Sequence, residues 1–150
     1  MITILILAIL GSVLFAIVGT FWYSMMTPMG KLHMSILGFD KLSSEEQKRK
    51  IAEAKPHMWK SYLLQFILSF LTSLFTVFVV VTSIRNGVSS MMAIGFPILG
   101  WLCFHVPAVG TQILWGNFDR KVAFKKFLSD SFSTLVTILI IAVASSFFAL

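Results

Sequence analysis

Charge is what this 150-residue sequence has least of: only 12% of its residues are Asp, Glu, Lys or Arg, against about 25% in soluble globular domains. Four stretches, 1–30, 61–84, 86–118 and 131–150, contain none at all. Cysteine is nearly missing as well. Cys103 stands alone, which excludes an intrachain disulfide and with it a disulfide-stapled secreted scaffold. Neither Asn86 nor Asn117 begins an Asn-x-Ser/Thr sequon. No nucleophile motif, paired catalytic carboxylates or Gly-rich phosphate loop is present. His33, His57 and His105 lie in different regions and the carboxylates lack ligand spacing, so neither a metal site, nor a cofactor, nor catalytic residues are expected.

What fills the chain instead is apolar: 57% of its residues are hydrophobic and 14% aromatic, and the mean hydropathy is +0.91. Each charge-free stretch reaches the roughly 20 residues that a helix needs to cross a bilayer. The expected fold is therefore an all-α integral membrane protein, a single four-helix domain over 1–150. Its transmembrane helices are placed at about 2–24, 62–84, 91–114 and 130–149, joined by short cytoplasmic amphipathic helices.

The few charges are unevenly distributed. Seven of the 12 basic residues lie in the loop 31–60 and four between Arg120 and Lys126, which leaves only Arg85 for the remaining turn. Lys and Arg in short loops stay cytoplasmic. Loops 31–60 and 115–129 are thus expected inside and both termini outside, in a plasma or bacterial inner membrane rather than an organelle. The surplus of basic over acidic residues, +6, then faces an anionic inner leaflet rather than nucleic acid. With no Lys or Arg before Lys31 and no Ala-x-Ala site, the N-terminal stretch is read as an uncleaved span.

Along the first span, small residues recur every fourth position at Ala8, Ser12, Ala16 and Thr20, which suggests a helix-packing seam. Trp22, Tyr23, Lys31, Trp59 and Trp115 sit where amphipathic side chains anchor to headgroups. Pro28 and Gly30 predict a break. Ser43 and Glu46 have capping-box spacing, which predicts a polar helix from about residue 44 to Lys55, stopped by Pro56. The basic, Phe-containing segment 115–128 suits an interfacial helix. Asp130, Thr134 and Thr137 share a face of the last span.

His105 is the one ionisable side chain, Cys103 aside, deep inside an expected span, and such a residue is a functional hypothesis by default. Pro97, Trp101, His105 and Gln112 recur at helical spacing on one face. In an antiparallel hairpin, Thr72 matches His105 in depth and Gln65 matches Gln112. Two readings follow. These residues line a polar path or ligand pocket beside a Pro-kinked helix, or His105 is interhelical glue worth about 0.6 kcal/mol.

The run Gly19-Thr20-Phe21-Trp22-Tyr23-Ser24, with Gly30-Lys31 and Leu37-Gly38 after it, resembles the small membrane proteins of the family known as domain of unknown function 1761. So does Trp101-Leu102 followed by Pro107. Met29 stands where that family usually has Phe, and His33 where a Trp is common. The resemblance implies a four-helix membrane protein of no established activity. The functional expectation is a non-enzymatic scaffold, assembled as a homo-oligomer or within a larger membrane complex. The alternative is a small channel or transporter lined by His105, Thr72, Gln65 and Gln112.

Overall fold

The computed structural model describes residues 1–24, 26–115 and 119–149, and every regular element among them is helical. The long elements are α1 (Ile2–Trp22), α3 (Ser44–Arg85) and α6 (Arg120–Phe147). A fourth is assembled from α4 (Ser90–Gly100), a π turn (Trp101–His105) and α5 (Val106–Trp115). The short helix α2 (Pro28–Ile36) and a single 3-10 turn (Phe39–Lys41) link α1 to α3. Four stretches, Ile2–Trp22, Met58–Arg85, Ser90–Trp115 and Arg120–Phe147, are long and apolar enough to cross a bilayer. The outer face of α1 leaves Ile6, Leu10 and Ile17 exposed, as a helix facing hydrocarbon would.

Two helices are longer than the sequence suggests. Pro56 does not stop the polar helix: α3 runs through it for 42 residues, about 63 Å at ~1.5 Å per residue. A proline strands the carbonyl four residues earlier, here that of Ala52, and both positions are exposed, so water can take the missing donor's place. The Ser43/Glu46 capping box does form at the start of α3: Glu46 N–H donates to Ser43 Oγ at 3.3 Å and Ser43 N–H to Glu46 Oε2 at 2.9 Å. Likewise, residues 120–128 are not a separate interfacial helix. They form the first turns of α6, started by Asp119 Oδ1, which accepts from the Lys121 and Val122 N–H groups. Residues 116–118 of that segment lie outside the described residues.

The turns have local causes. After α3, Gly87 adopts φ 85°, which lets its N–H reach Ile84 O while Val88 N–H reaches Ser83 O, a Schellman closure that favours glycine. Gly38 does the same for α2 at φ 72°, donating to Ser35 O. Between α1 and α2 the chain doubles back tightly. Thr27 caps α2 by accepting from Gly30 N–H at 2.9 Å, its own hydroxyl is placed to donate to Trp22 O or Ser24 O, and Pro28 occupies the first helical turn.

Packing is uneven along the bundle. At the end holding both termini, Val77, Val81, Ile141 and Ala149 form a core with Ile4, Leu7 and Leu14 against it. Beside it Val80, Ala93 and Ala142 form a second cluster. Ala8, Gly11 and Ser12 are buried where α1 meets α3 and α6. A Cβ on Gly11 would lie 2.0 Å from Ser73 Oγ. Small residues let these helices approach closely, as in membrane bundles generally. Ala16 and Thr20, further along the same stripe, are exposed. Towards the Lys-rich end the helices part around a cavity.

Candidate functional site

The cavity has a volume of about 1500 Å³, larger than the roughly 300–1,000 Å³ usual for small-molecule sites. Its walls come from α1, α2, α3, α4, the π turn and α6. His105, Trp101, Thr72 and Gln65 all line it, as do Ala16, Thr20 and Ser12 of the small-residue stripe. Thus α1 contributes one stripe twice: Ala8 and Ser12 pack against the core, and Ala16 and Thr20 face open space. Gln112 is not part of the wall. It is exposed on α5, and no residue of α5 lines the cavity. Pro97 is buried without breaking α4, whereas Pro107 is the second residue after a π turn that Val106 N–H closes onto Trp101 O. The widened turn accommodates the donor that Pro107 withholds.

Hydrogen bonds around the cavity converge on residues 129–131 of α6. Tyr23 O–H donates to Asp130 Oδ1 at 2.5 Å, and Lys126 Nζ lies 2.5 Å from Asp130 Oδ2. Trp22 Nε1–H donates to Ser129 Oγ at 3.0 Å, and its ring lies 5.8 Å from that of Phe132. From the opposite wall Trp101 Nε1–H donates to the Ser131 carbonyl at 3.1 Å. The His33 ring stacks obliquely on Tyr23 at 5.1 Å. Burial holds the His33 imidazole below its ordinary 6.5, the charge of Lys126 lowers it further, and Asp130 opposes both. His105 Nε2 is buried with no hydrogen-bond partner among the described residues.

The aromatic rings of Trp22 and Tyr23 are therefore committed to α6, and this ties the end of α1 to the fourth long helix. Gly30 makes the geometry attainable. A Cβ there would lie 1.8 Å from Ser24 O and 2.8 Å from Tyr23 O, so only glycine lets α2 fold back under Tyr23. Lys31 is exposed beside Met34, Phe39, Asp40 and Gln47. Trp59 is exposed with Lys60 Nζ 5.8 Å from its ring, and Trp115 is 87% exposed.

Sequence reasoning placed Asp130 on a polar face but did not single it out, and it missed Tyr23, His33 and Lys126 as its neighbours. The available signal was Lys126 four residues before Asp130, a spacing that brings two side chains together on a helix. The contact from Tyr23 spans 107 positions and has no local signature. Among the described residues, no group of three or more His, Cys, Asp or Glu is placed to hold a metal ion.

No curated protein and no solved structure matches the chain. A family model, that of the protein of unknown function DUF1761, matches residues 6–146. The Gly30-Lys31, Trp22-Tyr23-Ser24 and Leu37-Gly38 elements lie within that match and build the turn beneath the cavity, and the chain belongs to the DUF1761 family.

Proposed function

We propose that this chain is an integral membrane protein that holds a membrane-borne small molecule in its cavity. The observation that carries this reading is that the cavity's polar wall stops at the packed core. Its polar wall runs from Asp130 past Thr134 to Thr137 and Ser12. There it meets Val77, Val81 and Ile141, all 3% exposed or less. A single copy of the bundle thus closes the space towards the termini, while exposed Leu68, Phe75 and Phe104 leave it open at the side, which favours binding of a molecule from the membrane over conduction. By the distribution of Lys and Arg, the Asp130 end of the cavity is cytoplasmic and both termini are extracytoplasmic. The exposed basic residues of α3 and α6 then face the anionic leaflet.

The test is retention of an amphiphile. Native mass spectrometry of the protein released from mild detergent should show a bound or exchangeable neutral amphiphile such as dodecanol. Thr72→Trp and Ala16→Trp, which fill the space from α3 and from α1, should abolish that binding. Wild-type protein that takes up no such molecule would overturn the reading. A scaffold is favoured by a different observation: Ala16 and Thr20 leave part of the small-residue stripe uncovered, and such stripes let helices of another chain approach. Crosslinking in native membranes that yields only monomer would remove that second reading.

A further inference from the structure

The chain as a whole is basic, with 12 Lys and Arg against 6 Asp and Glu. The cavity reverses that balance. Among the described residues no lysine or arginine lines it, and the one carboxylate in its wall is Asp130.

Six of the hydroxyls in its wall share the same bias. A hydroxyl has one hydrogen to give and lone pairs to offer, and here the hydrogens are spent on the helices' own backbones. Ser12 donates to Ala8 O, Thr72 to Leu68 O and Thr76 to Thr72 O. On the facing helix Ser133 and Thr134 both donate to Asp130 O, and Thr137 donates to Ser133 O. Six hydroxyls therefore present acceptors to the space between them. Tyr23 spends its hydrogen on Asp130 and Trp101 its own on Ser131 O. A molecule resting against this wall is stabilised by bringing donors. The remaining surface is apolar and aromatic, including Phe15, Phe66, Phe75 and Phe104. Aromatic faces attract cations as well as hydrocarbon.

Resting on the reading of this cavity as a binding site, we infer that its ligand is an amphiphilic amine: an ammonium head with N–H donors on an apolar body. The head lies against Asp130 and the hydroxyl wall, and the body fills the aromatic part. Lys126 is then the internal competitor. Its ammonium occupies Asp130 Oδ2 from one turn earlier on α6, and it is still 24% exposed in its side chain, so it can withdraw when a ligand ammonium takes its place. The exchange replaces one cation at Asp130 by another, and the Lys126 ammonium turns to water or headgroups.

The experiment uses the full chain in phosphatidylcholine nanodiscs and measures saturable binding of dodecylammonium, dodecyltrimethylammonium, dodecanol and dodecanoate. Dodecylammonium should bind most tightly, the trimethylated head more weakly because it lacks donors, and dodecanoate least. Asp130→Asn should weaken dodecylammonium by about tenfold or more, as expected for loss of a charge-assisted contact, with dodecanol unaffected. Lys126→Gln should tighten dodecylammonium severalfold. That opposite sign keeps the proposal testable even where Asp130→Asn fails to fold, since a merely structural ion pair would make both substitutions weaken binding. Dodecanoate binding as well as dodecylammonium, or Lys126→Gln weakening it, overturns the amine assignment. If dodecanol still binds and is blocked by Thr72→Trp, the cavity reading survives that failure. If none of the four probes binds saturably, both fall.

Discussion

Gly30→Ala should unfold the site from beneath. The added methyl would stand 1.8 Å from Ser24 O, 2.4 Å from Ser24 C and 2.8 Å from Tyr23 O, and all three atoms are backbone. No rotamer change relieves such contacts. Gly30 does not have a positive φ, so the cost comes from space and not from backbone conformation. Overpacking typically costs about 1–3 kcal/mol, and immovable neighbours place this case near the top. Opening the turn would also loosen the Thr27 cap on Gly30 N–H, whose loss costs about 1 kcal/mol. A total loss of roughly 3 kcal/mol or more follows. Gly19 is the internal control. It belongs to the same family element, lies within α1, and has nothing within 4 Å of where a Cβ would be, so Gly19→Ala should be neutral or stabilise by about 0.5–1 kcal/mol. Unfolding in mixed micelles titrated with SDS, followed by near-ultraviolet circular dichroism, separates the two. Gly30→Ala should also lose the aromatic signal of the ordered Tyr23 before the bundle unfolds. Gly30→Ala within 0.5 kcal/mol of wild type, or Gly19→Ala equally harmful, would refute the reasoning.

Other expectations concern packing and pH. Gly11→Ala brings a methyl against Ser73 Oγ and to 3.0 Å from Ile141 Cδ1. It should cost about 1–3 kcal/mol, part of which Ser73→Ala recovers in a double-mutant cycle; strictly additive effects would mean that the helices simply move apart. His33 binds its proton less readily in the folded protein than its ordinary 6.5, so between that value and the lower folded one the unfolded chain holds more protons and stability rises with pH. Acidification from pH 7.5 to 5.5 should therefore lower the thermal midpoint. His33→Gln should flatten that dependence, and an unchanged slope in the variant would assign it to other groups.

How far these features were readable depends on how local they are. The four long helices follow from charge-free runs whose length matches a bilayer, and the Ser43/Glu46 cap follows from a three-residue spacing. Pro56 misleads because the usual rule charges a proline for a stranded carbonyl, and on a water-exposed stretch that cost largely disappears. Gln112 misleads because helical periodicity carries past the π turn, while the cavity ends there. Trp22 and Tyr23 read as anchors since aromatic rings at a span's end commonly are; their partners on α6 are set by tertiary packing. The donor-poor wall was half legible, because Ser and Thr at four-residue steps were visible. That their hydrogens turn back to the helix backbone is a matter of rotamers.

The uninterrupted course of α3 carries a mechanical consequence. Gln65, Ser69 and Thr72 form part of the cavity wall, and Ser44 through Lys55 extend the same rod beyond the apolar stretch that starts at Met58. No loop separates the two parts. Whatever grips the projecting end, whether lipid headgroups or another protein, holds a lever arm of about 20 Å at ~1.5 Å per residue. A torque applied there reaches the wall through continuous helix, whose most compliant point is Pro56, where one backbone hydrogen bond is missing.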